Sequence, residues 1–574
     1  MLYQKVGKGS MPMQDAVQFC AAGRSIGMKS HFTDKVTGMG AEQRHLSNCE
    51  RDFLRFAKKD LEGNFELYHV KTVIRNPGTA TKSAEVGVLL PHEVCHWLWH
   101  HNEEKFHILF VRARIIRFWA LTIEANEEWW QRHPLRMVIT NASDRARFLP
   151  LQLFGDDGCL KKSRVYRTLT WFPATHTSLE TMESRIPTYC LPSHSAILDV
   201  TDVDVQEAVV WSFCSWLTGR MPQTNHLQES FEKGTTRYMM GQQRQCIAGG
   251  HTGVYVGTLA DQLWMLQHYR FNQSWMKTDC CNQCFAQNAS GFLDFSQSID
   301  FPARDHGDYM ASGGARISAL TRIPGFHLSL CRGEGMHAGP LGSMPDAVAS
   351  ALVELADEGR FGCSDIGRWD DRLQAQLHTA FPIFADWAKS QHESHTIKKF
   401  SLAGLSMTAK HTSFPCYKGK AHNCLVLCRW LEFVTAASKH ESEYCLLRWQ
   451  AIWAWVEIFD VCMKSVDRDF LNPSELSRLD SATTILLHGC KHLASLNALS
   501  GKARWKTRPK LHIFYHINKD AQASGRNPRS WMTFRDEEFM GKMASIASAV
   551  HGLTMCNRSL QRWCLHFFSA MELE

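Results

Sequence analysis

The sequence has no long hydrophobic run, no strong excess of one charge and no apolar stretch at its start. The most apolar candidate for a membrane span, residues 444–463, contains Arg448 and Glu457, so it fits a buried helix better than a transmembrane one. Residues 1–10 lack the apolar segment of a secretory signal peptide. We therefore expect neither a membrane-spanning nor a secreted protein, and no membrane partner.

The charge balance is only mildly basic, with 64 basic against 57 acidic residues and a net charge of +7. This excess permits a nucleic-acid partner without requiring one. The basic residues gather in two short runs, and the ordinary interpretation of each run is a solvated face. The alternative is contact with phosphate groups, and the candidates are Lys161, Lys162, Arg164, Lys506, Arg508 and Lys510.

The 20 cysteines are scattered through 574 residues rather than grouped in a disulfide framework. Without a secretory signal, such cysteines are expected to be reduced, and a few of them are candidates for metal ligands. The length is enough for roughly three or four domains.

Apolar periodicity predicts a β-rich segment between helical regions. Alternating apolar, β-branched and aromatic residues predict strands at 148–154 and 165–172, and a possible third at 196–201. The first strand is expected to end in a tight turn at Gly155–Gly158. Helical spacing predicts helices at 347–356, 372–389, 423–438 and 443–466, within a long helical block from 345 to 505.

The expected organisation has four parts. Residues 1–145 form a mostly helical region with a possible role in DNA binding or dimerisation, in which the first 60 or so are a partly ordered leader. Residues 146–300 form the β-rich segment, 301–505 the helical block, and 506–574 a short histidine-containing segment followed by a last helix at about 535–570.

Two pairs of residues have the spacing of metal ligands. Cys281 and Cys284 form a Cys-x-x-Cys pair, which fits two thiolates onto one tetrahedral zinc ion. His512 and His516 lie four residues apart, so on a helix they share one face. Taken separately, the first pair could equally be buried or redox-active thiols, and the second could be ordinary histidines. Together they predict a structural zinc site that ties the helical block back to the β-rich core.

Acidic residues follow the first predicted strand and recur near both of these pairs. Asp156 and Asp157 follow that strand, Asp261 precedes the cysteines, and Glu537 follows the histidines. Three carboxylates can hold two divalent cations, and hard oxygen ligands favour Mg²⁺ or Mn²⁺ over zinc. With 57 acids in the chain, only this order is informative. The alternative for Glu537 is a favourable contact with the N-terminus of its own helix.

The order of these motifs resembles the CACTA (En/Spm-like) branch of DDE transposases, over roughly 148–565. In that family an Asp-Gly, a second Asp followed by Cys-x-x-Cys, a long helical insertion, and His-x-x-x-His followed by Glu occur in the same sequence. Further segments that resemble the family are Glu334–His337, Gly419–His422 and Glu537–Gly541. The family's acid in the Met-His segment is Asp, whereas this chain has Glu334, and a structural turn contact is the alternative role for Glu334 and His337.

The resemblance implies an α/β fold in which an RNase H-like mixed sheet is interrupted by a large all-helical insertion and preceded by a helical region. It implies that Asp157, Asp261 and Glu537, with Asp156 as the alternative first acid, bind two Mg²⁺ or Mn²⁺ ions. It also implies that the Cys and His pairs bind structural Zn²⁺.

The function implied is two-metal DNA cleavage and strand transfer by a transposase. Its partners would be transposon ends and target DNA, its assembly a homo-oligomer and its location the nucleus. A domesticated or inactive relative that binds DNA without cutting it is the alternative. A third possibility is an unrelated zinc protein in which the Cys and His pairs never meet.

Overall fold

The structure is a computed structural model that describes residues 2–28, 30–37, 39, 52–57, 66–75, 80–160, 165–274, 277–287, 302–312, 318–362 and 367–572. It is mixed α/β, with a five-stranded mixed sheet and a separate antiparallel strand pair. The chain forms two compact units. The first comprises Met1–Arg270, His306–Cys331 and Phe534–Glu574, and the second comprises Phe271–Asp305 and Arg332–Thr533.

The first unit contains the described strands and most of the short helices. Its strands are β1 (Tyr68–Arg75), β2 (Thr81–Val88), β3 (Phe148–Cys159), β4 (Val165–Pro173), β5 (Ile186–Pro192), β6 (Thr252–Ala260) and β7 (Cys331–Arg332), the last at the passage into the second unit. Its helices are α1 (Leu2–Gly7), α2 (Met13–Ser25), α3 (His31–Thr37), α4 (helical at 52–57), α5 (Pro91–His101), α6 (Glu103–Leu109), α7 (Arg112–Ala125), α8 (Glu128–Gln131), α9 (Ala142–Arg147), α10 (Thr181–Ser184), α11 (Thr201–Thr218), α12 (Thr236–Gln242), α13 (Gln262–His268), α14 (His306–Ser312), α22 (Phe534–Ser548) and α23 (Met555–Glu572).

The five-stranded sheet has the order β5-β4-β3-β6-β7. Strand β4 is antiparallel to both β3 and β5, whereas β6 runs parallel to β3. Every residue of β6 is buried, as expected for a central strand with both faces covered. Helices α22 and α23 pack on one face of this sheet, and α11 and α13 pack on the other.

The predicted first strand is confirmed, but the tight turn at Gly155–Gly158 is wrong. Strand β3 continues through these residues to Cys159. The two glycines are needed there because of close packing: a Cβ atom on Gly155 would overlap the ring of Trp264, and one on Gly158 would overlap the ring of Tyr166. Glycine therefore marks a close approach of side chains to the strand and not a reversal of the chain.

The third strand lies earlier in the chain than the sequence pattern predicts. Strand β5 spans Ile186–Pro192, and residues 196–200 form the turn that leads into α11. The hydroxyl of Thr201 accepts a hydrogen bond from the backbone N–H of Ile197 at 2.9 Å, which closes that turn. The strand expected at 196–201 is therefore wrong, because a side chain–backbone bond competes with the extended conformation.

The described N-terminal helices pack within the first unit. In its described part, Val6, Ala16 and Phe53 have no exposed surface, and a Cβ atom on Gly7 would lie 2.7 Å from the backbone nitrogen of His566. These contacts belong to the described part of the expected leader, and residues 40–51 and 58–65 of it lie outside the described residues. The β1–β2 hairpin also interrupts the region predicted as helical, and its alternation of buried and exposed residues is the pattern of a half-covered sheet.

The second unit is built from helices. They are α15 (Gly335–Ala338), α16 (Met344–Asp357), α17 (Trp369–Ser390), α18 (Ala421–Ala436), α19 (Glu443–Lys464), α20 (Pro473–Leu499) and α21 (Lys510–Ser524). The four predicted helices of the block are confirmed within a few residues. Helix α20 begins with a capping box, in which the side chain of Asn472 accepts from the N–H of Glu475 and the Glu475 side chain accepts in return. Among the described residues, no helix combines the length and apolarity needed to cross a membrane.

Candidate metal centre and carboxylate site

The Cys and His pairs meet inside the second unit. The Sγ of Cys281 lies 3.3 Å from Nε2 of His516, and the Sγ of Cys284 lies 3.1 Å from Nε2 of His512. The two Nε2 atoms are 3.0 Å apart. All four ligand atoms lie within 4.8 Å of one another, so the interpretation in which the pairs never meet is wrong.

These separations fit a tetrahedral zinc site. Zinc bonds of about 2.3 Å to sulfur and about 2.0–2.1 Å to nitrogen give tetrahedral edges of about 3.5 Å from sulfur to nitrogen and about 3.3 Å between nitrogens. The observed edges are within about 0.5 Å of those values. Two thiolates and two imidazoles are also the ligand chemistry of structural zinc. The set could therefore hold a metal ion such as zinc.

Local structure accounts for the position of each pair. His512 and His516 occupy successive turns of α21 and face the same way. The cysteines lie in a tight loop in which Cys284 forms an isolated bridge with Ala303, and the N–H of Cys280 donates to the carbonyl of Ala286 at 3.2 Å.

The guanidinium of Arg304 supports the cysteine loop from outside the ligand set. Its Nε donates to the carbonyl of Cys281 at 2.9 Å, and its NH2 group pairs with Asp279 at 3.1 Å. Its guanidinium carbon also lies 4.4 Å from the centre of the Phe285 ring. These contacts orient the loop that carries both thiols, as outer contacts do in metal sites.

The neighbouring Cys280 is not part of the ligand set. Its Sγ lies 3.4 Å from the carbonyl oxygen of Ala286. Burial, together with the charges of Cys281 and Cys284, raises the pKa of the Cys280 thiol to about 12. It therefore stays protonated, and it offers a matched control for substitutions at the two ligand cysteines.

The ligands influence one another strongly. A hydrogen bond with Cys281 lowers the pKa of the Cys284 thiol despite its burial. Burial by itself would lower the pKa of His516, but the charge of Cys281 and the hydrogen bond to it raise that pKa above its usual value. A bound metal ion would replace the protons of the hydrogen bonds between these side chains, because metal ligation requires thiolates and neutral imidazoles.

Both halves of this site belong to the second unit. The expectation that zinc ties the helical block back to the β-rich core is therefore wrong. The cysteine loop in Phe271–Asp305 folds with the helical residues of Arg332–Thr533, and the site closes that unit on itself.

The candidate metal-binding carboxylates lie in the first unit, and two of them come where the parallel pairing of β3 with β6 ends. Gly155 of β3 pairs with Ala260, the last residue of β6. Asp156 and Asp261 therefore each come directly after this last pair. Asp261 is also the N-cap of α13, where its Oδ1 accepts from the N–H of Trp264 at 2.6 Å. The sheet therefore brings one acid from each strand to the same edge.

The two adjacent acids of β3 face opposite sides of the sheet, because side chains alternate along a strand. Asp157 pairs with Arg167 at 3.0 Å, and the same guanidinium pairs with the buried Asp202 at 2.7 Å. Asp156 lies instead on the face of Tyr166. Arg167 and Tyr166 were not predicted as site residues, and nothing in their sequence context distinguishes them from other strand residues.

Glu537 approaches the Asp156 face of the sheet from α22. The hydroxyl of Tyr166 donates to the carbonyl of Met540, one turn along the same helix, at 2.7 Å. Burial, and then the charges of nearby groups that include Asp156 and Glu537, raise the pKa of Tyr166 well above its usual value. The charges of both carboxylates therefore affect the pKa of the same phenol.

The acids beside Glu537 in sequence have structural partners. Asp536 is buried and pairs with Arg185 at 2.8 Å, while Glu538 accepts from the hydroxyl of Thr181 at 2.6 Å. Among the described residues, the side chains close enough together to hold a metal ion are those of the Cys–His set, and the three candidate carboxylates do not form a second such group.

The structure gives Glu334 an internal role as the N-cap of α15. Its carboxylate accepts from the N–H groups of Met336 and His337 at 2.6 Å and from that of Thr533 at 2.8 Å, and it contacts Nδ1 of His337 at 2.7 Å. Burial would raise the pKa of Glu334, but these hydrogen bonds lower it. These contacts therefore favour a structural role, as a turn contact, for Glu334 and His337.

Two of the candidate phosphate contacts in the second basic run have internal partners. Arg508 forms a two-pronged pair with Asp346, one arm of which measures 2.9 Å, and Lys510 donates to the carbonyl of His337 at 2.9 Å. Lys506 is exposed, with its ammonium 5.7 Å from the ring of Phe414. The first run, with Lys161, Lys162 and Arg164, lies outside the described residues.

The chain matches no protein-family model and none of the curated proteins searched.

Proposed function

We propose that this chain is a DDE-type polynucleotidyl transferase, which cuts and joins DNA strands with divalent metal ions, as a transposase does. The observation that supports this most directly is the sheet. An RNase H-like core has three antiparallel strands followed by a strand that lies parallel to the first and beside it. Strands β3, β4, β5 and β6 have this arrangement in this order along the chain.

The division of the chain supports a helical insertion. The chain leaves the first unit after Arg270 and returns to it for the last time at Phe534. Most of the intervening residues form a separate helical unit. Helix α22, which carries Glu537, then returns to pack on β3. The acids at 156, 261 and 537 thus belong to one unit, although hundreds of residues separate the last two in sequence.

The carboxylates have the chemistry required for Mg²⁺ or Mn²⁺, since such ions prefer oxygen ligands and retain several waters. Asp261 and Glu537 would hold the ions together with the first acid of β3. For that position the contacts favour Asp156 over Asp157, because Arg167 already neutralises Asp157. The metal ions would activate a water molecule or a 3′-hydroxyl for attack on a phosphodiester and stabilise the leaving oxygen.

Within this proposal the zinc site has a structural role. It holds the cysteine loop against α21, whose second histidine, His516, lies 21 residues before Glu537 in the sequence. No step of the reaction involves this site. Binding to transposon ends and target DNA, a homo-oligomeric assembly and a nuclear location remain expectations that follow from the resemblance to CACTA transposases.

The proposal is tested by nicking of supercoiled plasmid with Mg²⁺ or Mn²⁺. We expect Asp156→Asn, Asp261→Asn and Glu537→Gln each to abolish nicking while leaving the fold intact. Asp157→Asn is the matched control on the neighbouring residue, and it should retain most of the activity. Metal-independent nicking, or full activity in both Asp261→Asn and Glu537→Gln, would refute the proposal.

A DNA-binding relative that does not cut is the second candidate. Among the described residues, the Cys–His set forms a group that could hold a metal ion and the acids do not, which favours this candidate. Wild-type protein that binds DNA but gives no nicking under any divalent metal, with zinc fully bound, would support this second function.

A further inference from the structure

A groove of about 1310 Å³ lies within the first unit, and none of the candidate metal-binding carboxylates lines it. It is bounded by the β1–β2 hairpin, by the residues that follow β5, and by the N-terminal part of α23. Its volume exceeds the range of about 300–1,000 Å³ that is usual for small-molecule pockets. This size leaves room for an extended segment of a larger molecule.

The walls of this groove are held together by backbone contacts. The N–H of Arg75 donates to the carbonyl of Ser195 at 2.8 Å, which joins the end of β1 to the chain after β5. The N–H of Gly87 donates to the side-chain oxygen of Asn557 at 2.7 Å, which joins β2 to α23. The groove is thus a built feature of the unit, with hydrogen bonds between its walls.

The rim is cationic and the floor is apolar. Arg75, Lys82 and Arg558 line it, and within the described residues none of these three has an ion-pair partner. The carboxylate among the lining residues is that of Glu85. The accessible apolar part of the floor consists of the partly exposed side chains of Ile74, Val165 and Val550.

We propose that this groove binds a segment of single-stranded nucleic acid, with its phosphates on the cationic rim and its unpaired bases over the apolar floor. A positively charged groove that follows the backbone is the usual feature of such binding. A duplex matches the surface less well, because its base faces are already stacked and leave the apolar floor nothing to bury. The choice of nucleic acid as the polymer rests on the proposed function.

The experiment measures fluorescence anisotropy of a labelled oligonucleotide of twelve thymidines with the full-length protein. The Glu537→Gln background without added divalent metal separates strand binding from cleavage. With three phosphate contacts on a single strand, the slope of log K against log salt should be about −2, which is roughly an eighteen-fold loss between 50 and 200 mM salt.

The double variant Lys82→Ala, Arg558→Ala should reduce that slope to about −0.7, or a loss of roughly 2.6-fold over the same range. Ala84→Glu should weaken binding by placing a negative charge in the groove. The matched control is Arg112→Ala, Lys233→Ala, which removes two exposed cations of the same unit that do not line the groove. It should leave affinity and slope unchanged.

The remaining arms are an RNA strand of the same length, a DNA duplex and heparin. Binding of either single strand in preference to duplex and heparin supports the proposal, and comparison of the two identifies the source of the strand. Equal binding of duplex or heparin, no binding at all, or an equal loss in the control variant would overturn it. If nicking fails but the salt slope behaves as expected, only the proposed function is refuted.

Discussion

Loss of the Cys–His site should remove one zinc ion per chain and destabilise the helical unit. The perturbation is His512→Ala combined with His516→Ala, which removes both nitrogen ligands from helix α21. Two remaining thiolates do not complete a tetrahedral site. The expected result is zinc at well below one ion per chain in the purified variant, against one in the wild type.

The size of the effect follows from linkage between binding and folding. When free zinc is about a thousand times its dissociation constant, binding stabilises the folded state by about 4 kcal/mol. For a unit of this size, each kcal/mol corresponds to roughly 2–4 °C in Tm. The variant should therefore melt roughly 8–16 °C below the wild type in buffer that contains zinc.

The assay combines metal analysis with thermal melting, with and without a strong chelator. Chelation should lower the Tm of the wild type nearly to that of the variant, because the zinc contribution is then absent from both. Cys280→Ser is the matched control, since Cys280 lies beside a ligand but its thiol faces the carbonyl of Ala286. Full zinc content in the double histidine variant, or a chelator-resistant Tm in the wild type, would refute the reasoning.

Two further substitutions, Gly155→Ala and Asp202→Asn, test the packing on the sheet of the first unit. Gly155→Ala should lower the free energy of unfolding by about 1–3 kcal/mol or more, because its Cβ would overlap the ring of Trp264. The control is Gly541→Ala, which has open space around it and should be neutral or stabilising. Chemical denaturation of the two variants compares them. Burial raises the pKa of Asp202 to about 6 despite its pair with Arg167, so the folded state holds a proton that the unfolded state releases near pH 4. The contribution of Asp202 to the free energy of unfolding is therefore fully present below about pH 4. As the pH rises to 6, up to about 3 kcal/mol of it is lost. Asp202→Asn should flatten the pH dependence of unfolding over that interval, and an unchanged profile would contradict this assignment.

The local patterns of the sequence predicted the helices well. Apolar residues at helical spacing locate α17, α18 and α19 within a few residues, because each of these helices buries one stripe of side chains. Helix α16 is located equally well, although it is buried on all sides from Met344 to Ala356. Strands were harder to predict. Strand β5 was missed because apolar and polar residues do not alternate along it: all seven of its residues are buried, so both faces of the strand are covered.

The two acids of β3 show where sequence reasoning ends. Asp156 and Asp157 are equivalent in composition and spacing, so the pattern leaves both open as the first metal ligand. Their difference arises because adjacent strand residues face opposite sides of the sheet. Arg167 lies on one side and Tyr166 on the other, and only the packing of β3 against β4 assigns these partners.

The sequence by itself determined each half of the candidate zinc site. The spacing of Cys281 and Cys284, and that of His512 and His516, sets the geometry within a single loop and a single helical turn, because local backbone conformation controls such short distances. Tertiary structure alone decided that the halves meet, and that they do so within the helical unit. Contact between segments so distant in sequence depends on how the helices pack, which no local pattern encodes.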